Sequence, residues 1–473
     1  MTNSIYDTKK VYGVNALKPI FLWGSFFCFF VLLVMERRAA YWAVVTLPLS
    51  FAIASALFDF KKHIWGIGGV VFWGAYFLRF TLFPILIVAG GYRADYSPEI
   101  YLPYLNQAYF YMDIELFGCV ICYSLYSSYK LKKRSIQREQ EEQTDTETTS
   151  YTTTWLAAIV AIALLFNVLM YIKYPTLLGL YWRIIFIPSD RAGDLLLLQQ
   201  LIAVIPSYLY YPFKLTAEFL KLAILFWAVY KVNNNERLSI PIRLTCTIIL
   251  AGIAVSLVSS EQINAILQAM VICAYAIVKY HKYSKYLVIT GAVVACLGFV
   301  FVITRVADVE DLSGLSRVIN NYFNGAVGIA CALNWGETAG IGAEYLLTDV
   351  LKEIPIIQGL TQNVSTNALF NAQMGLRGAI LPLTAYGKIF FGSFLVFIPA
   401  AIVGITVLFF DDMTESTKCG WYKLFFIFQA AHFALAASMY NMSIYYSLWI
   451  YEVMVPLIVY GLDRAFNRRR ICK

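Results

Sequence analysis

Charge is scarce in this chain, and histidine scarcer. Asp, Glu, Lys and Arg make up 14% of 473 residues and there are three histidines, whereas a soluble globular protein carries about 25% charged residues. A large water-soluble domain is excluded, and His63, His281 and His432 supply no imidazole cluster for a metal. Cysteine pairing is also missing. The nine cysteines form no disulfide framework, and the Cys119-x-x-Cys122 motif lies in an apolar run without histidines nearby, which suits packing. No small-residue cleavage pattern follows the first apolar run, so a retained span is expected there. Polar low-complexity sequence is limited to Lys130 to Thr154.

What fills the chain is apolar: 60% hydrophobic and 16% aromatic residues, with a mean hydropathy of +0.65. Disorder is excluded, and the solvent for most of the chain is lipid. Apolar runs fall near residues 17–35, 41–58, 64–90, 104–129, 155–173, 205–231, 241–258, 262–279, 287–304, 387–410, 423–440 and 443–461. At about 20 residues per crossing these are about twelve spans. The expected class is all-α, a polytopic integral membrane protein with two long outer loops.

With both termini cytoplasmic, the inner segments hold Lys9 and Lys10, Lys61 and Lys62, the run Lys130 to Arg138, Arg237, Lys279 to Lys285, and Arg464 to Lys473. This meets the positive-inside rule, and it accounts for the net charge of +8 without nucleic acid. Arg37 and Arg38 on the outside and the acidic inner loop Asp411 to Lys418 strain it. The chain then divides into four spans (1–129), a flexible cytoplasmic linker (130–154), spans five to nine (155–304) with an outer loop at 174–204, a large outer loop (305–386), and three spans with a basic tail (387–473). The long loops are too aromatic and aliphatic for disorder, so they are expected to fold back onto the membrane surface. Within the second, 343–354 and 366–374 read as short helices.

The kind of cation on the outer side is informative. Arg93, Arg183, Arg191, Arg305, Arg317 and Arg377 fall in outer segments, with Lys352 the one lysine well inside them. Guanidinium forks grip phosphate or carboxylate bidentately, where lysine is a point charge. A phosphate or pyrophosphate site is one reading, and surface salt bridges with interface anchors are the other. Around Arg317 the sequence runs on to Tyr322-Phe323-Asn324-Gly325. Arg377 stands between Gly375 and Gly378, where backbone can approach a ligand. Then Tyr386-Gly387-Lys388-Ile389-Phe390-Phe391-Gly392 leads into a span. Aromatic faces and amides beside arginine suit a sugar phosphate.

This layout, the Tyr322 to Gly325 stretch, the Tyr386 to Gly392 entry and the ten residues between Arg317 and Gly328 resemble the Wzy-type O-antigen and capsular polysaccharide repeat-unit polymerases. The sequence departs from many relatives in one turn, Ser259-Ser260-Glu261-Gln262, where they carry an arginine. The resemblance implies a GT-C-like glycosyltransferase of the bacterial cytoplasmic membrane, active on the outer side and needing no metal or other cofactor. It would move a growing glycan from undecaprenyl diphosphate to a new lipid-linked repeat unit, with a flippase and a chain-length regulator as protein partners. Arg317, Arg377, Arg191 and Arg305 would stabilise the leaving diphosphate. Tyr322, Asn324, Arg183 and Tyr386 would bind substrate. Asp308, Glu310, Glu337 and Glu261 are candidates for a base, although Asp308, Glu310 and Asp311 also suit a metal or plain solvation.

Ionisable residues within spans are costly and therefore informative. Arg79, Asp113, Glu115 and Glu452 are such residues, and Lys214, Glu218 and Lys221 share one helical face. That face points to a cavity or a partner, which also suits a transporter or a lipid-linked oligosaccharide flippase. An O-antigen ligase is chemically closer still. His432 is expected to be a buried hydrogen-bonding residue, and Asp411 with Asp412 a polar span end.

Overall fold

The computed structural model describes residues 14–95, 102–141, 153–181, 183–184, 197, 200–201, 204–258, 262–280, 311–354, 364–376, 378–417 and 419–471. Among them the chain is all-helical apart from a two-residue antiparallel ladder, β1 (Arg183–Ile184) on β2 (Leu257–Val258), which sets Arg183 opposite Val258.

The longer helices of the first half are α1 (Val14–Met35), α2 (Thr46–Leu57), α3 (Ile67–Phe77), α4 (Phe83–Ala89), α5 (Leu102–Glu141), α6 (Thr154–Lys173), α7 (Ser207–Asn233), α8 (Ile240–Ser256) and α9 (Gln262–Lys279), with short helical turns at Ala39–Val45, Phe60–His63 and Thr176–Tyr181. A π turn over Leu78–Leu82 joins α3 to α4. The second half comprises α10 (Leu312–Tyr322), α11 (Ala326–Thr338), α12 (Glu344–Glu353), α13 (Thr366–Met374), α14 (Leu383–Phe391), α15 (Ile398–Ser416), α16 (Gly420–Met439), α17 (Met442–Leu448) and α18 (Met454–Ile471). A second π turn, Trp449–Val453, joins the last two. Pro399 opens α15, where a missing N–H has no helical partner to lose, whereas Pro84 follows the π turn inside the continuous rod Ile67–Ala89.

Among the described residues, six stretches are long and apolar enough to cross a membrane: Leu17–Met35, Ala39–Leu57, Ile67–Ala89, Pro103–Arg134, Thr154–Lys173 and Met442–Asn467. They match the first five expected runs and the last, so the protein is a helical, membrane-embedded one. Helices also occupy the sixth, seventh, eighth and eleventh runs without reaching that apolarity and length, and the ninth run lies outside the described residues. The tenth run is not one helix. It breaks at Gly392, whose φ of +82° ends α14, and restarts at α15.

Two further expectations are corrected. The linker does not begin at Lys130, because α5 continues through it to Glu141; the rest of that stretch, 142–152, lies outside the described residues. Lys130 is 2.9 Å from Asp412, Arg134 is 2.6 Å from Asp412, and Arg134 also pairs with Glu415. These pairs hold this part of α5 to the last turns of α15, where Asp412 and Glu415 lie. Nor does the whole 305–386 stretch lie over the bundle. The two expected short helices form as α12 and α13, but α11 enters the core, with Ala326 to Leu333 all buried. Its small residues (Ala326, Gly328, Ala330, Cys331, Ala332) let it pack closely on α5, the way helices associate where lipid supplies no hydrophobic drive.

Distant carboxylates cap two helices. Asp411 accepts from the backbone N–H groups of Gly68 (3.2 Å) and Gly69 (2.9 Å) at the start of α3. Gly66 is required there, since a Cβ would sit 2.3 Å from Asp411 Oδ1. Asp463 accepts from Trp155 and Leu156 N–H (2.8 and 3.3 Å) at the start of α6, and from Tyr422 OH (2.6 Å). Each satisfies donors that a helix start leaves unpaired. Arg38, which strained the charge rule, donates to both carboxylate oxygens of buried Glu36 (2.9 and 3.0 Å) and lies over Tyr41 and Tyr92. Its charge is thereby balanced locally.

Candidate functional site

Of the residues expected to form the site, Arg191, Arg305, Arg377, Asp308, Glu310 and Glu261 lie outside the described residues. Arg183 is placed by its backbone alone, in β1 opposite Val258. The others have separate partners. Arg317 stands half-exposed on α10, 3.9 Å from Asp95, and Tyr322 is half-buried at the end of that helix. Glu337 accepts from Tyr104 OH at 3.0 Å. Asn324 is buried, with a φ of +52°, a left-handed turn that asparagine tolerates better than most residues. Tyr386, also buried, donates its OH to Asp349 Oδ2 at 3.0 Å. Asp311 caps α10 by accepting from Gly314 N–H and Ser313 OH, both at 2.8 Å; these bonds, the Gly314 N–H above all, hold its carboxyl below the ordinary range. Asp311 is thus a helix cap that is also exposed to solvent.

Tyr386 leads to a polar cluster at the end of the bundle away from Lys130 and Arg134. On α12, Asp349 and Glu353 are one turn apart. Asp349 accepts from the backbone N–H and the hydroxyl of Thr366, both at 2.7 Å, and so starts α13. Glu353 accepts from Ser443 OH at 2.7 Å and is also bonded by Ser447. Lys214 of α7 lends it positive charge and has its ammonium 4.1 Å from the Tyr451 ring centre. Tyr446 bonds Tyr386, and Tyr211 and Tyr451 feel the Glu353 charge. Burial pushes both carboxyls up; Ser443 and Lys214 pull Glu353 partly back.

Chemically this is a half-buried carboxyl of raised basicity, flanked by hydroxyls, tyrosine rings and one cation. Such a group can take a proton from a hydroxyl, and the surrounding donors and ring faces suit a polyol. Sequence reading missed Asp349 and Glu353. Their signal was available in the spacing of four on an expected helix, but which helices they face is a long-range fact.

Deeper in the bundle lies a second network. Arg79, on the first π turn, donates to Glu115 Oε1 at 2.6 Å and to Thr384 Oγ1 at 2.8 Å; Thr384 in turn donates to Glu115 Oε2. Tyr76 OH donates to Glu115 at 2.9 Å. Arg79 also reaches the backbone carbonyls of Asn324 and Ala437, each at 3.4 Å. The pair is 1% and 0% exposed. His432 is buried as expected, with Nδ1 3.0 Å from Glu452 and Nε2 3.1 Å from Tyr440 OH. On α7, Lys221 and Glu218 stand 3.6 Å apart. No family model, curated protein or solved structure matches the chain.

Proposed function

We propose that this membrane protein is a glycosyltransferase that polymerises lipid diphosphate-linked oligosaccharide units on the outer face of a bacterial cytoplasmic membrane. The observation that carries the reading is the Glu353 cluster: a half-buried carboxyl bonded by Ser443, near Lys214 and ringed by tyrosines. In this reading Glu353 is the base that receives the acceptor hydroxyl proton as the new glycosidic bond forms and the bond to the diphosphate breaks. It takes that role in place of the carboxylates expected from sequence. The tyrosines and serines hold the acceptor sugar. Arg317, with Arg191, Arg305 and Arg377, stabilises the departing undecaprenyl diphosphate.

A transporter or flippase is the second reading, supported by the Lys214, Glu218 and Lys221 face of α7. It is less favoured because transport sites gather near the bilayer midplane, whereas Glu353 and Asp349 sit on a short helix near a bundle end. One experiment separates the two. Purified protein in detergent, given an undecaprenyl diphosphate-linked repeat unit and no ion gradient, should lengthen the glycan, and should do so in a chelator. No extension by folded protein on a verified substrate would remove the polymerase reading.

A further inference from the structure

α14 is a nine-residue helix held at two points by carboxylates from elsewhere. Thr384, on its first turn, sits inside the Arg79–Glu115 pair, accepting from one and donating to the other. Tyr386, two residues on, donates to Asp349, which belongs to the same face of α12 as Glu353. An ion pair removed from water is costly, and an apolar replacement often serves stability as well or better. Charged groups deep in a membrane protein call for a task beyond cohesion. Arg79 also lies on a π turn, a helix irregularity frequent at functional sites. Its remaining donors reach the Asn324 turn and the last turn of α16.

We infer that Arg79, Glu115 and Thr384 are positioning residues, a buried three-way contact that sets α14 and thereby holds Tyr386, Asp349 and Glu353 in register. The Thr384 hydroxyl is the joint. It is the group through which the ion pair touches α14, and it is replaceable without leaving a charge alone. The inference rests on the polymerase reading only for its effect on catalysis. The mechanical link from Thr384 to α12 stands apart from it.

The test is amide hydrogen exchange in detergent on the full chain, comparing native protein with Thr384→Val, Thr384→Ser and Tyr386→Phe. Thr384→Val should speed exchange of α12 (Glu344–Glu353) about tenfold or more, the population change expected when a charge-assisted hydrogen bond is lost. Thr384→Ser, which restores the hydroxyl, should exchange like the native chain. Tyr386→Phe should speed α12 while leaving α3 and α4 unchanged, and adding it to Thr384→Val should give less than the product of the two effects, as coupled contacts do. In the extension assay Thr384→Val should lower kcat and leave KM unchanged. Native exchange in α12 of Thr384→Val, or a serine variant that behaves like valine, overturns the inference. Should Thr384→Val not fold, unchanged α12 exchange in Tyr386→Phe overturns it equally. If exchange responds as stated while native protein extends no glycan, the positioning link is upheld and only the polymerase reading falls.

Discussion

The two ends of the bundle use the same residue types to opposite effect. At one end Asp411 and Asp463 each accept from two backbone N–H groups of a helix start, and Asp412 and Glu415 are matched by Lys130 and Arg134. Each of these acids holds parts of the fold together. At the other end Glu353 meets serine hydroxyls and one lysine, and burial raises its proton affinity. A carboxylate tied to backbone N–H donors of a helix start, or matched by cations, is committed to holding helices together. One given hydroxyls and burial is left able to change its protonation state. The difference teaches where chemistry is to be sought, and it can be broken experimentally.

The largest effect should follow from Glu353→Gln. If Glu353 is the base, extension falls by about 10²–10⁴-fold, with the melting temperature in detergent close to native. An equal loss from Asp411→Asn at intact folding would erase the contrast between the ends. Next in size is Asp411→Ala, which strips the cap from α3. Stability should drop by about 1–3 kcal/mol, as when buried donors lose their acceptor, while the folded fraction keeps its specific activity. Thermal unfolding and a per-molecule extension rate check both parts.

A smaller effect concerns pH. Because burial raises the Glu353 and Asp349 carboxyls, the folded state binds their protons more tightly than the unfolded one. Their contribution to stability is therefore greatest at low pH and is lost as pH rises through the raised folded values. Activity runs the other way, falling as acid protonates the base. Lys214→Met removes a charge that pulls Glu353 down, so the acid limb of the rate profile should move to higher pH. An acid limb that stays in place would separate Lys214 from the site. The smallest effect belongs to Lys130→Gln, a partly exposed pair member that should cost no more than about 1 kcal/mol. A greater loss in denaturant titration would show that the Lys130 contact to Asp412 holds α5 and α15 together more strongly than an ordinary surface pair.

Much of the fold was legible because lipid imposes a simple rule on backbone polarity. The runs at 17–35, 155–173 and 443–461 announced helices long enough to span. The sequence also marked Arg79, Glu115, Lys214 and His432 as costly residues needing partners. It did not give those partners: Thr384 is 269 positions from Glu115 and Glu353 is 90 from Ser443, and local periodicity carries no information across such separations. α11 was misplaced for a related reason. Thirteen residues are too few for a span, and only contact with α5 shows that a short helix of small residues belongs inside. The arginine set was read from residue type and expected side alone, and of its four proposed catalytic members only Arg317 lies among the described residues.

α5 has one more consequence. Its 40 residues at 1.5 Å each make a rod of about 60 Å, while the hydrocarbon layer is about 30 Å thick. Even a tilt of about 40°, the steep end for membrane helices, leaves it longer than that layer. The surplus is anchored at Arg134 to the acids of α15, so the projecting end moves with the bundle. The helix thus works as a pointer: a probe attached at Glu141 would display, in water, any rotation or rocking of a core that no soluble reagent can reach.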